Sequence, residues 1–372
     1  MRGQLIERGE KKWLLRVYMG RTAGKRQYRS KTFHGTTREA QQELTRMLRE
    51  GDTHPDLTGT KQTVEQYLRE WLKTKLDIRP STQVDYQKRI ERNILPTVGN
   101  LRLDHLTYVQ VNRLYRSLVE QGFSPRTVRY THQILHHALE QAVLWGLLPK
   151  NPSAHAVLPQ RVQRTPTILT APQLARLIRE TAQEPLGALW TLLLTSGLRS
   201  GEALALRWAD LEDTTLHVRR TLVTNGHGRF TIMENAAKTA GSIRGVTLPA
   251  ITLEALEQHR RRQAAQIMLA GPRYERQDLM FCTSLGRTFN PHNVRRYWYR
   301  TLARLGLPQV RLYDTRHTHA TALLTQGVNL AWVSERLGHT NIQTTKSVYA
   351  HVLPEAQREM ANVMDTIARR QA

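Results

Sequence analysis

Leu337-Gly338-His339-Thr340-Asn341-Ile342-Gln343-Thr344-Thr345-Lys346-Ser347-Val348-Tyr349 sets a histidine and a tyrosine ten residues apart, late in a 372-residue chain of formal charge +24. Upstream, Gly197-Leu198-Arg199-Ser200-Gly201-Glu202 and Tyr313-Asp314-Thr315-Arg316-His317-Thr318 each carry an arginine. Two arginines, a histidine and a tyrosine are what a protein needs to hold a phosphodiester and attack it without a metal. The non-bridging oxygens gain charge in the transition state, and arginine suits them by fork geometry and permanent charge. A phenol oxygen can form a covalent intermediate that keeps the bond energy. A general acid must protonate the departing 5′ oxygen. Lys238, in Ala237-Lys238-Thr239, falls in an expected turn between two strands, where a flexible arm reaches a leaving group.

The composition agrees with a polyanionic partner. Lys and Arg number 55 against 31 Asp and Glu, and the pI is about 10.8. Such an excess favours DNA or RNA before membranes. A hydrophobic fraction of 40% argues for a folded protein over a disordered basic tail. No 18-residue apolar stretch is present, mean hydropathy is −0.52, and no membrane role is expected. Met1-Arg2-Gly3-Gln4 runs into polar alternation without a signal-peptide core. The one cysteine, Cys282, excludes an internal disulfide framework and a Cys-rich zinc site. A reducing cytoplasm is the expected compartment, with no metal and no cofactor. His317 and His319 are spaced like metal ligands on a strand, but they are expected on a helix, and no carboxylate or thiol motif joins them.

Three segments are expected. Residues 1–55 hold thirteen Lys and Arg against six Asp and Glu. Trp13–Met19 and Arg26–Phe33 read as a hairpin around a Gly20–Lys25 turn, with Gln4–Arg8 as a third strand. Thr36 and Glu39 form a capping box for a helix lined by Ala40, Leu44, Met47 and Leu48, which Gly51 is expected to end. A two-stranded ribbon of this kind fits the DNA major groove. Residues 60–155 read as all helix. Helices are expected at Thr63/Gln66, Pro80, Thr107/Gln110 and Ser124-Pro125, with Tyr67, Trp71 and Tyr115 on inward stripes. Pro149, Pro152, Pro159 and Pro166 punctuate residues 147–167 as an extended stretch, within which the linker between domains is placed at 156–167. Residues 168–372 open with a helix at Thr170/Gln173 and an apolar helix at Leu186–Thr195. A helix at Ser200–Trp208, three short strands between Leu216 and Leu248, a helix at Thr318–Gln326 and further helices follow. The expected fold is multidomain: a small β-sheet with a helix, an all-α domain, and a mainly-α domain with a small antiparallel sheet.

Singly, each residue signal is weak, but the ordered set resembles one family. Thr195-Ser196-Gly197-Leu198-Arg199-Ser200-Gly201-Glu202 is similar to the first box of the tyrosine recombinases, in particular the integrases of temperate phages and integrative conjugative elements. Asp314-Thr315-Arg316-His317-Thr318-His319-Ala320-Thr321 looks like the second box. Leu337-Gly338-His339 and Thr345-Lys346-Ser347-Val348-Tyr349-Ala350-His351 look like the third. Lys238-Thr239, with Arg244 and Val246-Thr247-Leu248-Pro249, resembles the β-hairpin lysine motif. The resemblance spans essentially the whole chain, and several ordered boxes are far more specific than one short motif.

The resemblance implies an arm-site-binding domain at 1–55, a core-site-binding domain at 60–155 and a catalytic domain with a C-terminal docking tail at 168–372. It implies Tyr349 as nucleophile, Arg199 and Arg316 as phosphate clamp with His339, Lys238 as general acid, and Glu202 and His317 in support. It implies a double-stranded DNA partner, a homotetramer on DNA, a DNA-bending host protein and an excisionase. Tyr313 stands where the family most often has histidine. Phenols ionise near pH ~10, so Tyr313 is expected to donate a hydrogen bond to the phosphate, and base duty falls to His339 or to water. The rival readings are a Xer-type resolvase, which shares the chemistry, and a basic DNA-binding regulator without catalysis.

Overall fold

Leu15 and Val17 lie two apart on a strand with Arg16 between them, and this period of two sets one face of a sheet against a helix. The computed structural model of the chain describes residues 3–22, 25–53, 60–161, 166–224, 229–234 and 244–349, with 361–362, 364–365 and 368–369 near the end. It divides into two compact units, Met1–Gln163 and Arg164–Ala372. In the first, β1 (Gly3–Gly9), β2 (Lys12–Thr22) and β3 (Lys25–His34) form an antiparallel sheet in the order β1-β2-β3. The hairpin strands run closer to their turn than expected. Leu15 and Val17 pack on Ala40, Leu44 and Met47 of α1 (Thr37–Thr53). The Thr36/Glu39 box is present. The helix continues through Gly51 to Thr53, because glycine permits a left-handed cap but does not impose one.

The remainder of this unit is helical. Capping boxes at Thr63/Gln66 and Thr107/Gln110 start α2 (Val64–Thr74) and α5 (Tyr108–Glu120). Between them, α3 (Pro80–Arg89) leads to a wider turn at Ile90–Ile94 and to α4 (Leu95–Val98). Pro96 has no N–H to donate, and the turn before it opens so that the Leu95 N–H reaches Ile90 O. Ser124 caps α6 (Pro125–Leu144). Tyr67, Trp71 and Tyr115 are buried in the core of these helices, so they offer no stacking platform.

The second unit is built around α8 (Gly187–Ser196), which follows α7 (Ala171–Thr181). α8 is apolar on every side and is accordingly buried along most of its length. Its Trp190 packs on Trp298 of α11 (Pro291–Arg304), ring centroids 5.1 Å apart. The helix expected at Ser200–Trp208 is only α9 (Ser200–Ala203). Beyond it Leu204, Ala205 and Leu206 are all buried, which no one-sided helix allows, and Arg207 bridges to Leu279 in extended form. Where three strands were expected, between Leu216 and Leu248, there are four among the described residues, with one more short strand ahead of them. β4 (Leu211–Glu212), β5 (Thr215–Val218) and β8 (Arg244–Thr247) make one antiparallel sheet, and β6 (Arg220–Thr224) and β7 (Phe230–Glu234) another. α10 (Ala250–Ala270) follows. α12 (Thr315–Thr325) begins three residues earlier than expected, and α13 (Leu330–Leu337) and α14 (Ile342–Tyr349) come after it. Ala320, Leu324, Val333, Leu337 and the Tyr349 ring form a second small core. No helix among the described residues is long and apolar enough to cross a membrane.

Candidate active site

Two helix C-termini hold Arg316. α8 ends at Gly197 with φ +68°, and α13 ends at Gly338 with φ +67°. A Cβ on Gly197 would lie 2.6 Å from His319 Cδ2 and 2.8 Å from Leu337 Cδ2, so both backbone shape and space require glycine. Arg316 Nη1 donates to Gly197 O at 2.9 Å and Nη2 to Leu337 O at 2.6 Å. These carbonyls sit at negative helix ends, which favour a cation. Arg316 is 2% exposed. Burial, and then the nearby Arg199, lower its pKa to about 10, which still leaves it charged at neutral pH.

Glu202 organises the other guanidinium groups. Its carboxylate accepts from Arg199 N at 2.9 Å, Arg199 Nη1 at 2.7 Å and Arg244 Nη2 at 3.0 Å. Burial alone would raise its pKa, but Arg244 and then Arg199 outweigh it and hold the carboxyl below its ordinary value. Arg244 also donates through Nε to Arg336 O at 2.8 Å. α9 is too short to supply the long helix start expected after Arg199, so the positive field at this point is that of the side chains.

His339 follows the α13 cap. Its Nδ1 is 2.7 Å from Thr345 Oγ1, whose hydroxyl donates onward to Ser334 Oγ at 3.0 Å. The Thr345 hydrogen is therefore used, Nδ1–H donates to Thr345, and Nε2 keeps its lone pair. Burial, and after it Arg316, Arg199 and Arg244, push the His339 pKa down to about 4. Tyr349 ends α14 with 2% exposure, and its hydroxyl is 2.8 Å from His317 Nδ1. Burial pushes its pKa up, and Arg316 opposes that. Tyr313 is 50% exposed, its ring edge-on to His317 at 5.7 Å.

Arg199, Arg316, His339 and Tyr349, spread over 150 residues of sequence, thus come to one place, with Tyr313 at its open side. Among the described residues the guanidinium groups of Arg199, Arg244 and Arg316 gather there around the Glu202 carboxylate, and their field suits an anion. Lys238 and His351 lie outside the described residues. No cluster of three or more His, Cys, Asp or Glu that could hold a metal occurs among the described residues.

Sequence reasoning gave no site role to Arg244 or Arg336. Arg336 Nη2 donates to Thr195 O and Thr247 O, and its Nε donates to His319 Nε2. It ties α8, β8 and α12 together behind the site. A signal for Arg244 existed, because Arg244 and Val246 are two apart on a strand and share a face. An apolar Val246 turned inward carries Arg244 in with it.

Residues 167–356 match the model of the phage integrase family, and residues 63–119 match the phage integrase N-terminal SAM-like domain. With just over half its length in the first match, the chain belongs to the phage integrase family and is a tyrosine-type site-specific recombinase. A tyrosine recombinase XerC-like protein of Caldanaerobacter subterraneus subsp. tengcongensis is 28% identical over 382 residues, covering 97% of each chain. The ICEBs1 integrase of Bacillus subtilis is 25% identical over 298 residues, covering 78% of this chain and 79% of its own. In fold, the chain is similar to the Tn1549 transposon integrase solved with transposon right end DNA. The TM-score is 0.70 at 19% identity, over 81% of this chain and 99% of that one. The lambda integrase dimer bound to a COC′ core site superposes with a TM-score of 0.58 at 16% identity, over 92% and 93%.

Proposed function

We propose that the protein integrates and excises a mobile DNA element by cutting and rejoining strands through a 3′-phosphotyrosyl intermediate. The observation that carries this reading is the meeting of Arg199, Arg316, His339 and the Tyr349 hydroxyl around one net-positive site. Arg199 and Arg316 clamp the non-bridging oxygens of the scissile phosphate, and their charge is worth most where water is thin. Arg316 is pre-oriented by its two carbonyl contacts, so little reorganisation accompanies the reaction. Tyr349 Oη attacks phosphorus and the 5′ oxygen leaves with a proton from Lys238. The 5′ hydroxyl of a partner duplex then attacks the phosphotyrosine and frees Tyr349. The bond energy is conserved, so no nucleotide is consumed. His339 contacts the phosphate. Bound phosphate offsets the arginine field that now disfavours its proton, so Nε2 becomes a better proton holder in the complex.

The partner in this reading is double-stranded DNA in the bacterial cytoplasm. Residues 1–55 bind arm sites, with Arg16, Tyr18 and Tyr28 on the open face of the sheet. Residues 60–155 bind core sites, 156–167 connect, and 168–372 carry the chemistry. Four copies assemble on two duplexes, each tail from about residue 355 docking on a neighbour, with a DNA-bending host protein and an excisionase setting direction. A Xer-type resolvase would use the same site, and the added basic sheet and helix favour integration. A nicked suicide substrate carrying the cognate crossover site tests the chemistry. The wild-type protein should accumulate a covalent adduct, while Tyr349→Phe binds the DNA and leaves none. An adduct persisting in that variant removes Tyr349 from the mechanism. No adduct with the wild type favours a DNA-binding regulator.

A further inference from the structure

We propose that His317 is the base that takes the Tyr349 proton on cleavage and returns it on rejoining. The inference rests on the recombinase reading above, in which Tyr349 is the nucleophile. The Tyr349 hydroxyl is 2.8 Å from His317 Nδ1, and the rings lie 5.6 Å apart. The other ring nitrogen, Nε2, faces Asp314 Oδ1 at 3.8 Å. A carboxylate on that side favours hydrogen on Nε2 and leaves the Nδ1 lone pair to accept the phenol O–H. Asp314 is 1% exposed and fixed by Arg311, through Nε at 2.6 Å and Nη2 at 2.9 Å. At 3.8 Å the carboxylate makes no hydrogen bond to Nε2, but its charge steadies the imidazolium that the base becomes.

The alternatives are worse placed. Tyr349 is almost fully buried, so bulk water has poor access to its proton. His339 spends Nδ1 on Thr345 and gives Nε2 to the phosphate, whereas the Tyr349 hydroxyl rests on His317. Tyr313, in place of the more usual histidine, packs its ring on His317. The groups around His317 set its proton affinity. Burial lowers it, Asp314 raises it, and Arg311 and Arg316 lower it, while His339 and Tyr349 face it across the site. It is therefore neutral at pH 7 and able to accept. In the forward step the Oη–H bond breaks, its proton passes to Nδ1, Oη bonds to phosphorus, and the bond from phosphorus to the 5′ oxygen breaks as that oxygen gains a proton from Lys238. Rejoining reverses every transfer.

The test is single-turnover adduct formation by the full-length protein on the suicide substrate, from about pH 5.5 to pH 9. Loss of a general base costs roughly 10²–10⁴-fold in rate. His317→Gln, which keeps a polar partner for Tyr349 but cannot take a proton, should show that loss with unchanged DNA affinity. Its rate should climb steadily with pH where the wild-type rate levels off. His317→Ala should behave alike and regain rate with added imidazole, and if it does not fold, His317→Gln carries the test alone. A wild-type rate and pH profile in His317→Gln would overturn the proposal, leaving only a positioning hydrogen bond. Absence of a wild-type adduct, or an adduct in Tyr349→Phe, is instead the failure of the recombinase reading.

Discussion

Glu202 carries one negative charge between two guanidinium groups, and its removal exposes what that charge does. It is 5% exposed and touches both Arg199 and Arg244. Glu202→Ala removes the carboxylate that the largely buried Arg244 shares with Arg199 and lets Arg199 swing from its place. Breaking a buried pair from one side costs about 3 kcal/mol or more. Chemical denaturation should show a loss of that size at neutral pH, and a loss below ~1 kcal/mol would mean the pair is solvent-screened and does not organise the site. Glu202 was readable from its box as the residue that orients Arg199. Its hold on Arg244 was not, because that contact joins positions 42 residues apart.

At the scale of elements, the site hangs on two left-handed caps. Gly197→Ala places a methyl against His319 and Leu337 and strains a positive φ. The backbone strain costs ~1–2 kcal/mol and the overpacking ~1–3 kcal/mol. The Arg316 anchor on Gly197 O should move with it. A thermal melt should fall by several degrees and adduct formation should drop further than stability alone explains. A variant with wild-type melting and cleavage would show that the cap does not set Arg316. Local rules made much of this frame legible. The boxes at Thr63/Gln66, Thr107/Gln110 and Thr170/Gln173 begin helices where hydrogen bonds within four residues decide the matter. The rules failed where distant partners decide. Thr215 pairs with Thr247 and Leu216 with Val246 across a gap of about thirty residues, so β5 and β8 share a sheet that β6 and β7 do not join. The stretch after α9 reads as helix by composition, but burial on all sides and the bridge to Leu279 override it.

For the whole molecule, charge and a short list of side chains said what partner and chemistry to expect, while assembly is not written in one copy. Met364 near the end of the chain is 63% exposed and Trp332 on α13 is 68% exposed. If the tail docks on a neighbour, deleting residues 355–372 should abolish synaptic complexes in gel-shift assays while sparing single-site binding. Loss of neither removes docking from the account. In the proposed reaction Tyr349, and no other phenol near the arginines, bonds to DNA. Digestion of the trapped adduct with trypsin, followed by mass spectrometry, locates the attached nucleotide. It should lie on the peptide spanning residues 347–358, at Tyr349. A nucleotide found on Tyr313, or on any residue outside that peptide, would contradict it.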